Sequence, residues 1–271
     1  MCRFVLLKGA NIVKEHFNVA KEFSENVLRL CDSVVGIVFL GGIGRGYSDK
    51  LSDVDIIIYA EKPCENIPKG EFRFKDFLFD VDMVELEEEL KSFWSQEKRW
   101  AYSYAKIFYD PKGAVKRLLK CKLVFPENER KNILIENSIQ FNWYCPKTIF
   151  EESDHVAYQW IYRGDIVSSH YAVNQAIECL LKVLFALNRK FIPPEKWRLY
   201  CSYSLKWLPS NFKEHIRKAL LTRKYTLEDV ERRVRILRSL WKEVLPKVEK
   251  EVGLSFDKFY EYSINIEKPG L

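Results

Sequence analysis

Residues that build structural metal sites are scarce in this sequence. It has four histidines, and its seven cysteines are scattered along 271 residues without a CxxC pair. A structural zinc site takes four Cys or His ligands at short, regular spacings, so we expect no structural zinc. An odd number of scattered cysteines is typical of reduced thiols in a cytoplasmic protein, and the cytoplasm is the location we expect.

Long hydrophobic runs are missing as well. No apolar stretch approaches the 18 residues of a membrane-spanning helix, and the opening MCRFVLLKGA is too short and too weakly apolar for a signal peptide. Neither an internal repeat nor a low-complexity tract is present. We therefore expect a soluble protein without a membrane partner.

Charge of one sign does not dominate the chain. The 44 basic and 38 acidic residues give a net charge of +6 and a pI near 8.8, with both signs evenly mixed. A nucleic-acid groove needs a continuous basic surface, so a nucleic-acid partner is not favoured, whereas a nucleotide suits the mild basic excess. A hydrophobic content of 47 % predicts a packed globular protein, and a homodimer stays open.

The first half of the chain alternates helices with strands. Residues at helical spacing predict helices over 11–31 and 87–108. On the first of these helices, the expected buried face carries Ile12, His16, Val19, Phe23, Val27 and Leu30. Apolar runs predict strands over 34–40, 53–60 and 72–86. A short further strand is expected in KIFYDPKG, which enters a turn at its Asp-Pro-Lys-Gly end.

The second half has a helical pattern. An apolar stripe over 168–188 ends at Asn188. Thr226 with Asp229 has the spacing of a capping box, at the start of a helix whose apolar stripe consists of Val230, Val234, Leu237, Trp241, Val244 and Val248. The last 15 or so residues are expected to form a loosely held tail. We predict a mixed α/β (α+β) head with a short mixed sheet over 1–125, followed by an all-α helical bundle over 126–271.

The stretch GGIGRGYSDKLSDVDIIIY, residues 41–59, places two acids at the start of a strand. Strand residues two apart point the same way, so Asp53 and Asp55 project side by side. Two carboxylates so close repel unless a cation lies between them. Mg²⁺ favours such a pair, because it commonly takes one or two protein carboxylates plus substrate phosphates.

Glycines immediately precede this acid pair. Gly41, Gly42, Gly44 and Gly46 leave backbone N–H groups open to an anion, and Arg45 adds a cation. An amide cradle for phosphate beside a carboxylate pair for a divalent ion predicts a site for a metal-bound triphosphate.

Gly41-Gly42, ten intervening residues and Asp53-Val54-Asp55 together resemble the signature of the polymerase-beta-like nucleotidyltransferases. The likeness includes Gly44-Arg45-Gly46 and Ser52, although many members have Ser where this chain has Gly42. The resemblance implies an NTP, with ATP as the expected nucleotide, bound by Gly41, Gly42, Arg45 and Ser52. It also implies two Mg²⁺ ions.

The same resemblance implies a third carboxylate on a neighbouring strand. FLFDVDMVEL offers Asp80 and Asp82 on one face. VDMVEL is similar to the family's usual VDLV segment, which favours Asp82, and Asp80 is the alternative metal ligand. A three-carboxylate site would clamp the attacking and leaving oxygens of an in-line displacement.

The helical half contains a second pair of candidate residues. Glu178 and Lys182 are four residues apart and share a helix face, which is also the arrangement of a surface ion pair. Glu-x-x-x-Lys is similar to a helix of the kanamycin nucleotidyltransferase type of enzyme. That resemblance implies that Glu178 is the base for the acceptor hydroxyl and that Lys182 approaches phosphate.

One further motif suggests a different activity. Arg163-Gly164-Asp165 followed by His170 fits the loose R-x(4–6)-H spacing of HEPN-type RNases. A histidine on a packed helix is more often a hydrogen-bonded core residue, so we expect a structural role for His170.

Together these features predict an enzyme that transfers a nucleoside monophosphate from an NTP–Mg²⁺ complex to a hydroxyl acceptor and releases pyrophosphate. The alternative is an antitoxin-like protein of the same fold that modifies or binds a partner protein. The acceptor is not identified by the fold or the motif.

Overall fold

The structure, a computed structural model, describes residues 2–145 and 156–266, and the side chains within 12–145 and 156–263. The chain divides into two compact units, residues 1–124 and 125–271. No helix within the described ranges is both long and apolar enough to cross a membrane.

The first unit is a mixed α/β head. Its elements follow in chain order: α1 (Cys2–Leu30), β1 (Val34–Phe39), α2 (Gly41–Arg45), β2 (Val54–Ala60), β3 (Gly70–Phe74), β4 (Phe77–Glu85), α3 (Leu86–Lys91), α4 (Gln96–Tyr102), β5 (Lys106–Tyr109) and α5 (Ala114–Lys122).

The five strands form one mixed sheet in the order β3-β4-β2-β1-β5. β2 and β4 run parallel, and the other neighbouring pairs are antiparallel. This arrangement confirms the predicted short mixed sheet. The single strand expected over 72–86 was wrong: Lys75, at φ 56°, reverses the chain and divides the segment into the β3–β4 hairpin.

Apolar residues cover both faces of the sheet. On one face, strand residues such as Ile56 and Phe79 pack with α1 around Phe23. On the other, Tyr59 packs with Trp94 and Leu118. Leu30, expected on the buried face of α1, is 63 % exposed because the helix ends there.

The helix expected over 87–108 is instead two short helices, α3 and α4. Ser95 is the cause, because its side chain accepts a hydrogen bond from Lys98 N (3.2 Å) and caps a new helix start.

All the regular secondary structure described in the second unit is helical. Its elements are α6 (Glu127–Tyr144), α7 (Val156–Tyr162), α8 (Ile166–Leu187), α9 (Glu195–Ser202), α10 (Phe212–Leu220), α11 (Leu227–Val252), a short 3₁₀ helix (Phe256–Lys258) and α12 (Phe259–Ile266). α8 and α11 carry the predicted apolar stripes, which line a common core with α6. The all-α character predicted for this half is confirmed.

Two details of the helical half were wrong. Thr226 precedes α11, but its side chain makes no capping hydrogen bond; Asp229 instead accepts from Arg223 N (2.8 Å) and Arg232 Nε (2.7 Å). The expected loose tail is helical through residue 266, and Phe259 is completely buried. Residues 267–271 lie outside the described part of the chain.

Phe259→Ala should therefore destabilise the helical unit by about 3–4 kcal/mol, the usual cost of removing a buried aromatic ring. The neighbouring Lys258 is exposed, so Lys258→Ala is a matched control that should change stability by less than about 0.5 kcal/mol. Urea unfolding of both variants measures the difference. Equal stabilities would mean that α12 is not part of the core.

Cys31 and Cys64 form a disulfide, whereas the sequence analysis expected reduced thiols. Cys31 follows α1, Cys64 lies in the loop after β2, and their Cα atoms are 6.2 Å apart. The pairing depends on tertiary proximity between residues 33 apart in sequence, which spacing alone does not reveal. Four of the other cysteines form no disulfide among the described residues: Cys121, Cys145, Cys179 and Cys201.

Candidate active site

The glycine stretch folds as the short helix α2 between β1 and β2, ended by Gly46 at φ 71°. Its backbone packs closely against its surroundings: a Cβ on Gly42 would lie 2.3 Å from Ser48 Oγ, and one on Gly44 would lie 2.7 Å from Tyr104 O. Side chains at these two positions would displace the turn. The glycines therefore permit close backbone approach.

Only part of the predicted amide cradle remains open. The N–H of Gly44 donates to Leu40 O (2.7 Å), and that of Gly46 donates to Ile43 O (3.3 Å). The N–H groups of Gly41 and Gly42 belong to the first turn of α2, where a helix supplies no acceptor of its own. These two donors are the ones suited to an anion.

Gly41 lies directly against the Asp55 carboxylate. At φ 46°, a Cβ on Gly41 would be 1.5 Å from Asp55 Oδ2. The backbone also connects the two segments, because Leu40 N donates to Asp55 O at 3.0 Å. The structure thus brings the start of the glycine turn and the second acid of the DVD motif together.

The candidate third carboxylates follow from the parallel pairing of β2 with β4. Asp80 is directly opposite Asp55 in the register, and Asp82 is opposite Ile57, two residues further along. Neighbouring strands are about 4.8 Å apart, so Asp80 is beside the acid pair. Asp82, the third carboxylate favoured by the sequence resemblance, is an exposed residue.

The pKa of Asp80 is raised above its ordinary value, first by partial burial and then by the nearby negative charges of Asp82, Asp53 and Glu71. Like charges so arranged favour protonation of one of them. A cation bound among them would remove this repulsion.

The donor set fits a magnesium ion that arrives with phosphate. Within the described ranges, no group of three or more His, Cys, Asp or Glu side chains has the geometry of a metal site. Mg²⁺ needs only one or two protein carboxylates when phosphates and waters complete its shell. The neighbouring pair Asp53 and Asp55 would be enough for an ion that arrives with phosphate, whereas a resident ion held by the protein alone would need more ligands.

Two predicted nucleotide ligands have other contacts in the structure. Ser52 Oγ donates to Asp49 Oδ1 (3.2 Å) and accepts from Asp49 N (3.0 Å), which closes the turn before β2. The Arg45 guanidinium lies 5.5 Å from the centre of the Trp100 ring. Both residues are close in sequence to Gly41 or Asp55, and their roles in nucleotide binding stay predictions.

His16 is a residue that the sequence analysis placed only in the core. Its Nδ1 is 2.8 Å from Ile12 O, and its Nε2 is 3.1 Å from Ser52 O. The buried imidazole therefore connects α1 to the residue immediately before Asp53. Its position on the apolar face of α1 gave no signal of this contact.

In the helical unit, Glu178 forms an ion pair that the sequence analysis did not anticipate. Arg198 Nη1 is 2.5 Å from Glu178 Oε2, and the guanidinium is largely buried. Lys182 lies one turn further along α8 and is partly buried. No local sequence pattern connects Arg198 with Glu178, which lies 20 residues earlier.

His170 has the structural role predicted for it. It is 4 % exposed; its Nε2 is 3.1 Å from Lys224 O, and its Nδ1 is 2.8 Å from Arg233 Nη1. Burial lowers its pKa, and the positive charge of Arg233 lowers it further. Arg163 stacks on Trp160 at 4.8 Å, and Asp165 caps α8.

The chain matches one protein family over part of its length and is similar to a solved structure. Residues 95–198, less than half of the chain, match the family described as a domain of unknown function, DUF4037. The chain is also similar to a nucleotidyltransferase-like protein from Exiguobacterium sibiricum 255-15, whose crystal structure was determined at 1.90 Å. That likeness has a TM-score of 0.44 and 15 % identity, covering 88 % of this chain and 76 % of the other. No curated protein matches.

A TM-score of 0.44 is too low to support an argument about function. The class of protein is accordingly defined by its own architecture: a mixed five-stranded α/β head followed by a helical unit. The residues that bear on function are the glycines of α2 and the neighbouring acids Asp53, Asp55 and Asp80.

Proposed function

We propose that the protein transfers a nucleoside monophosphate from an NTP–Mg²⁺ complex to a hydroxyl acceptor and releases pyrophosphate. The observation that supports this most directly is the contact between Gly41 and the Asp55 carboxylate, with Asp80 level with Asp55 on the next strand. N–H groups that can donate hydrogen bonds to phosphate therefore lie beside a row of carboxylates.

Each part of this arrangement has a role in the proposed reaction. The N–H groups of Gly41 and Gly42 bind oxygens of the triphosphate. Asp53 and Asp55 hold the nucleotide-bound Mg²⁺, which when present neutralises phosphate charge. The acceptor oxygen bonds to the α-phosphorus while the bond from that phosphorus to the bridging oxygen of pyrophosphate breaks. Positioning and charge neutralisation supply most of the rate enhancement in such transfers.

The base that takes the acceptor's proton is proposed to be Glu178. Its ion pair with Arg198 fixes the position of one carboxylate oxygen, because Arg198 Nη1 lies 2.5 Å from Glu178 Oε2. Lys182, one helical turn away, is proposed to contact phosphate.

The test is a thermal-shift panel with the four NTPs, each with Mg²⁺ and with EDTA, followed by a pyrophosphate-release screen over hydroxyl acceptors. We expect ATP with Mg²⁺ to raise Tm and EDTA to cancel the increase. If no NTP changes Tm and no acceptor yields pyrophosphate, the proposed transfer is wrong.

Asp80 and Asp82 provide a matched comparison on one strand. Asp80→Asn should lower the transfer rate by on the order of 10²-fold, because Asp80 is level with Asp55 and removing one group that binds transition-state charge has effects of this size. Asp82→Asn should lower it less than about threefold. Initial rates at saturating NTP measure both effects. A larger loss of rate in Asp82→Asn than in Asp80→Asn would mean that Asp82 is the third carboxylate, as the sequence resemblance implies.

A second candidate function is binding of a partner protein. It is favoured by exposed side chains at the α7–α8 connection, where Tyr162 is 84 %, Val167 56 % and Tyr171 64 % exposed. Partner binding without chemistry would survive Asp53→Asn and Asp55→Asn unchanged. Pyrophosphate release that both substitutions abolish would favour the transferase.

A further inference from the structure

The helical unit contains a cavity that the proposed transfer chemistry does not use. Its volume is about 320 Å³, at the lower end of the range for sites that bind small organic ligands. Its lining comes from three helices: Tyr144, Val156, Trp160, Ser168, Tyr171, Ala172 and Gln175.

Three aromatic side chains, one from each helix, dominate this lining. Tyr144 on α6 and Trp160 on α7 are partly buried, while Tyr171 on α8 is 64 % exposed. Burial raises the pKa of the Tyr144 hydroxyl, with smaller contributions from Cys179 and Tyr171. An aromatic ring that remains exposed at a cavity is well placed to stack on a planar ligand.

The polar groups of the cavity can recognise the edge of such a ring. Gln175, partly buried, has no hydrogen-bond partner among the described residues, and its amide offers a donor and an acceptor side by side. Ser168 Oγ donates to Asp165 Oδ2 at 2.6 Å, which leaves its own oxygen able to accept. A glutamine amide pairs with adjacent donor and acceptor atoms of a heteroaromatic ring, as glutamine does with adenine.

The guanidinium of Arg163 stacks on Trp160 at 4.8 Å. This contact restrains the Trp160 ring and places a positive charge near the cavity, although Arg163 does not line it. Glu178 and Lys182 are three and seven residues beyond Gln175 on α8, so all three lie on neighbouring parts of one helix surface.

We propose that this cavity binds a nucleobase ring, stacked on Tyr171 and recognised at its edge by the Gln175 amide. The three aromatic rings provide the stacking surface, and the unpaired amide distinguishes a nitrogen-containing base from a hydrocarbon ring. The site belongs to the helical unit alone and requires neither Mg²⁺ nor nucleotide transfer.

Calorimetric titration of the full chain with the four nucleosides, in EDTA, tests this proposal apart from the proposed transferase site. We expect saturable binding of at least one purine nucleoside, and at least tenfold weaker binding of indole, which has a planar ring without the base's polar edge. No saturable binding of any nucleoside up to millimolar concentrations overturns the proposal; a cavity filled by the chain's own residues would give that result.

Substitutions of residues that line the cavity test whether nucleosides bind there. Tyr171→Ala should weaken nucleoside binding by about tenfold or more, because loss of an aromatic stacking partner has effects of that size. Gln175→Leu, which keeps the side chain's approximate volume, should weaken nucleoside binding without affecting indole. Tyr162→Ala, which removes an equally large exposed ring outside the lining, should bind like wild type.

Circular dichroism of each variant establishes that it is folded. Equal nucleoside affinity in wild type and in both lining variants would overturn the proposal, as would indole binding as tightly as the nucleosides. Because these titrations contain no Mg²⁺ or NTP, failure of nucleoside binding and failure of pyrophosphate release are separate results.

Discussion

Asp55→Asn is expected to lower pyrophosphate release by on the order of 10³-fold, the upper range for removing one group that stabilises transition-state charge. The substitution keeps the shape of the side chain and removes its charge. Asp55 is the acid in contact with Gly41 and level with Asp80, so no neighbouring residue occupies the same position. The measurement is the initial rate at saturating NTP and Mg²⁺.

Asp76→Asn is the matched control, since Asp76 is an exposed acid in the β3–β4 turn. It should retain the wild-type rate. A transfer rate within about threefold of wild type in Asp55→Asn would contradict the proposed site.

Gly41→Ala is expected to eliminate Mg²⁺-dependent NTP binding while leaving the protein folded. The new Cβ would lie 1.5 Å from Asp55 Oδ2, so the carboxylate must rotate away from its position. A carboxylate at the end of a side chain can rotate, and the remaining cost is the left-handed backbone, about 1–2 kcal/mol for a residue with a Cβ. NTP-induced thermal shifts and urea unfolding measure the two effects separately.

Gly46→Ala separates the cost of backbone strain from the effect of the collision between a Cβ at position 41 and the Asp55 carboxylate. Gly46 also has a positive φ, +71°, but nothing lies within 4 Å of a Cβ there. We expect a similar loss of stability in both variants and a normal NTP response only in Gly46→Ala. If Gly41→Ala kept the wild-type response, the contact with Asp55 would have no part in nucleotide binding.

The architecture was predictable wherever one periodicity ran without interruption. α8 and α11 have apolar stripes over many turns, and both are found where the pattern predicted them. The errors occur where one or two residues change the path of the chain. Lys75 turns a strand into a hairpin, and Ser95 starts a new helix inside an expected one.

The composition of the site was predictable to a smaller extent than the fold. The order of glycines and acids predicted that a phosphate cradle would precede a carboxylate pair, and Gly41 indeed lies against Asp55. The position of Asp80 opposite Asp55 depends on the register between two strands that are not consecutive in sequence. The Glu178–Arg198 pair likewise depends on how α9 packs against α8, which no local pattern reports.

The Cys31–Cys64 disulfide encloses β1, the α2 turn and all of β2, so both Gly41 and Asp55 lie inside the closed loop. If the chain were pulled from its two ends under oxidising conditions, the disulfide would keep the 33-residue segment closed. The contour length of the extended chain would then be shorter by roughly 110 Å, the length of that segment. Reduction would release that length. Under tension, the segment carrying the glycines and the acid pair would therefore stay a closed ring after the rest of the head had been extended.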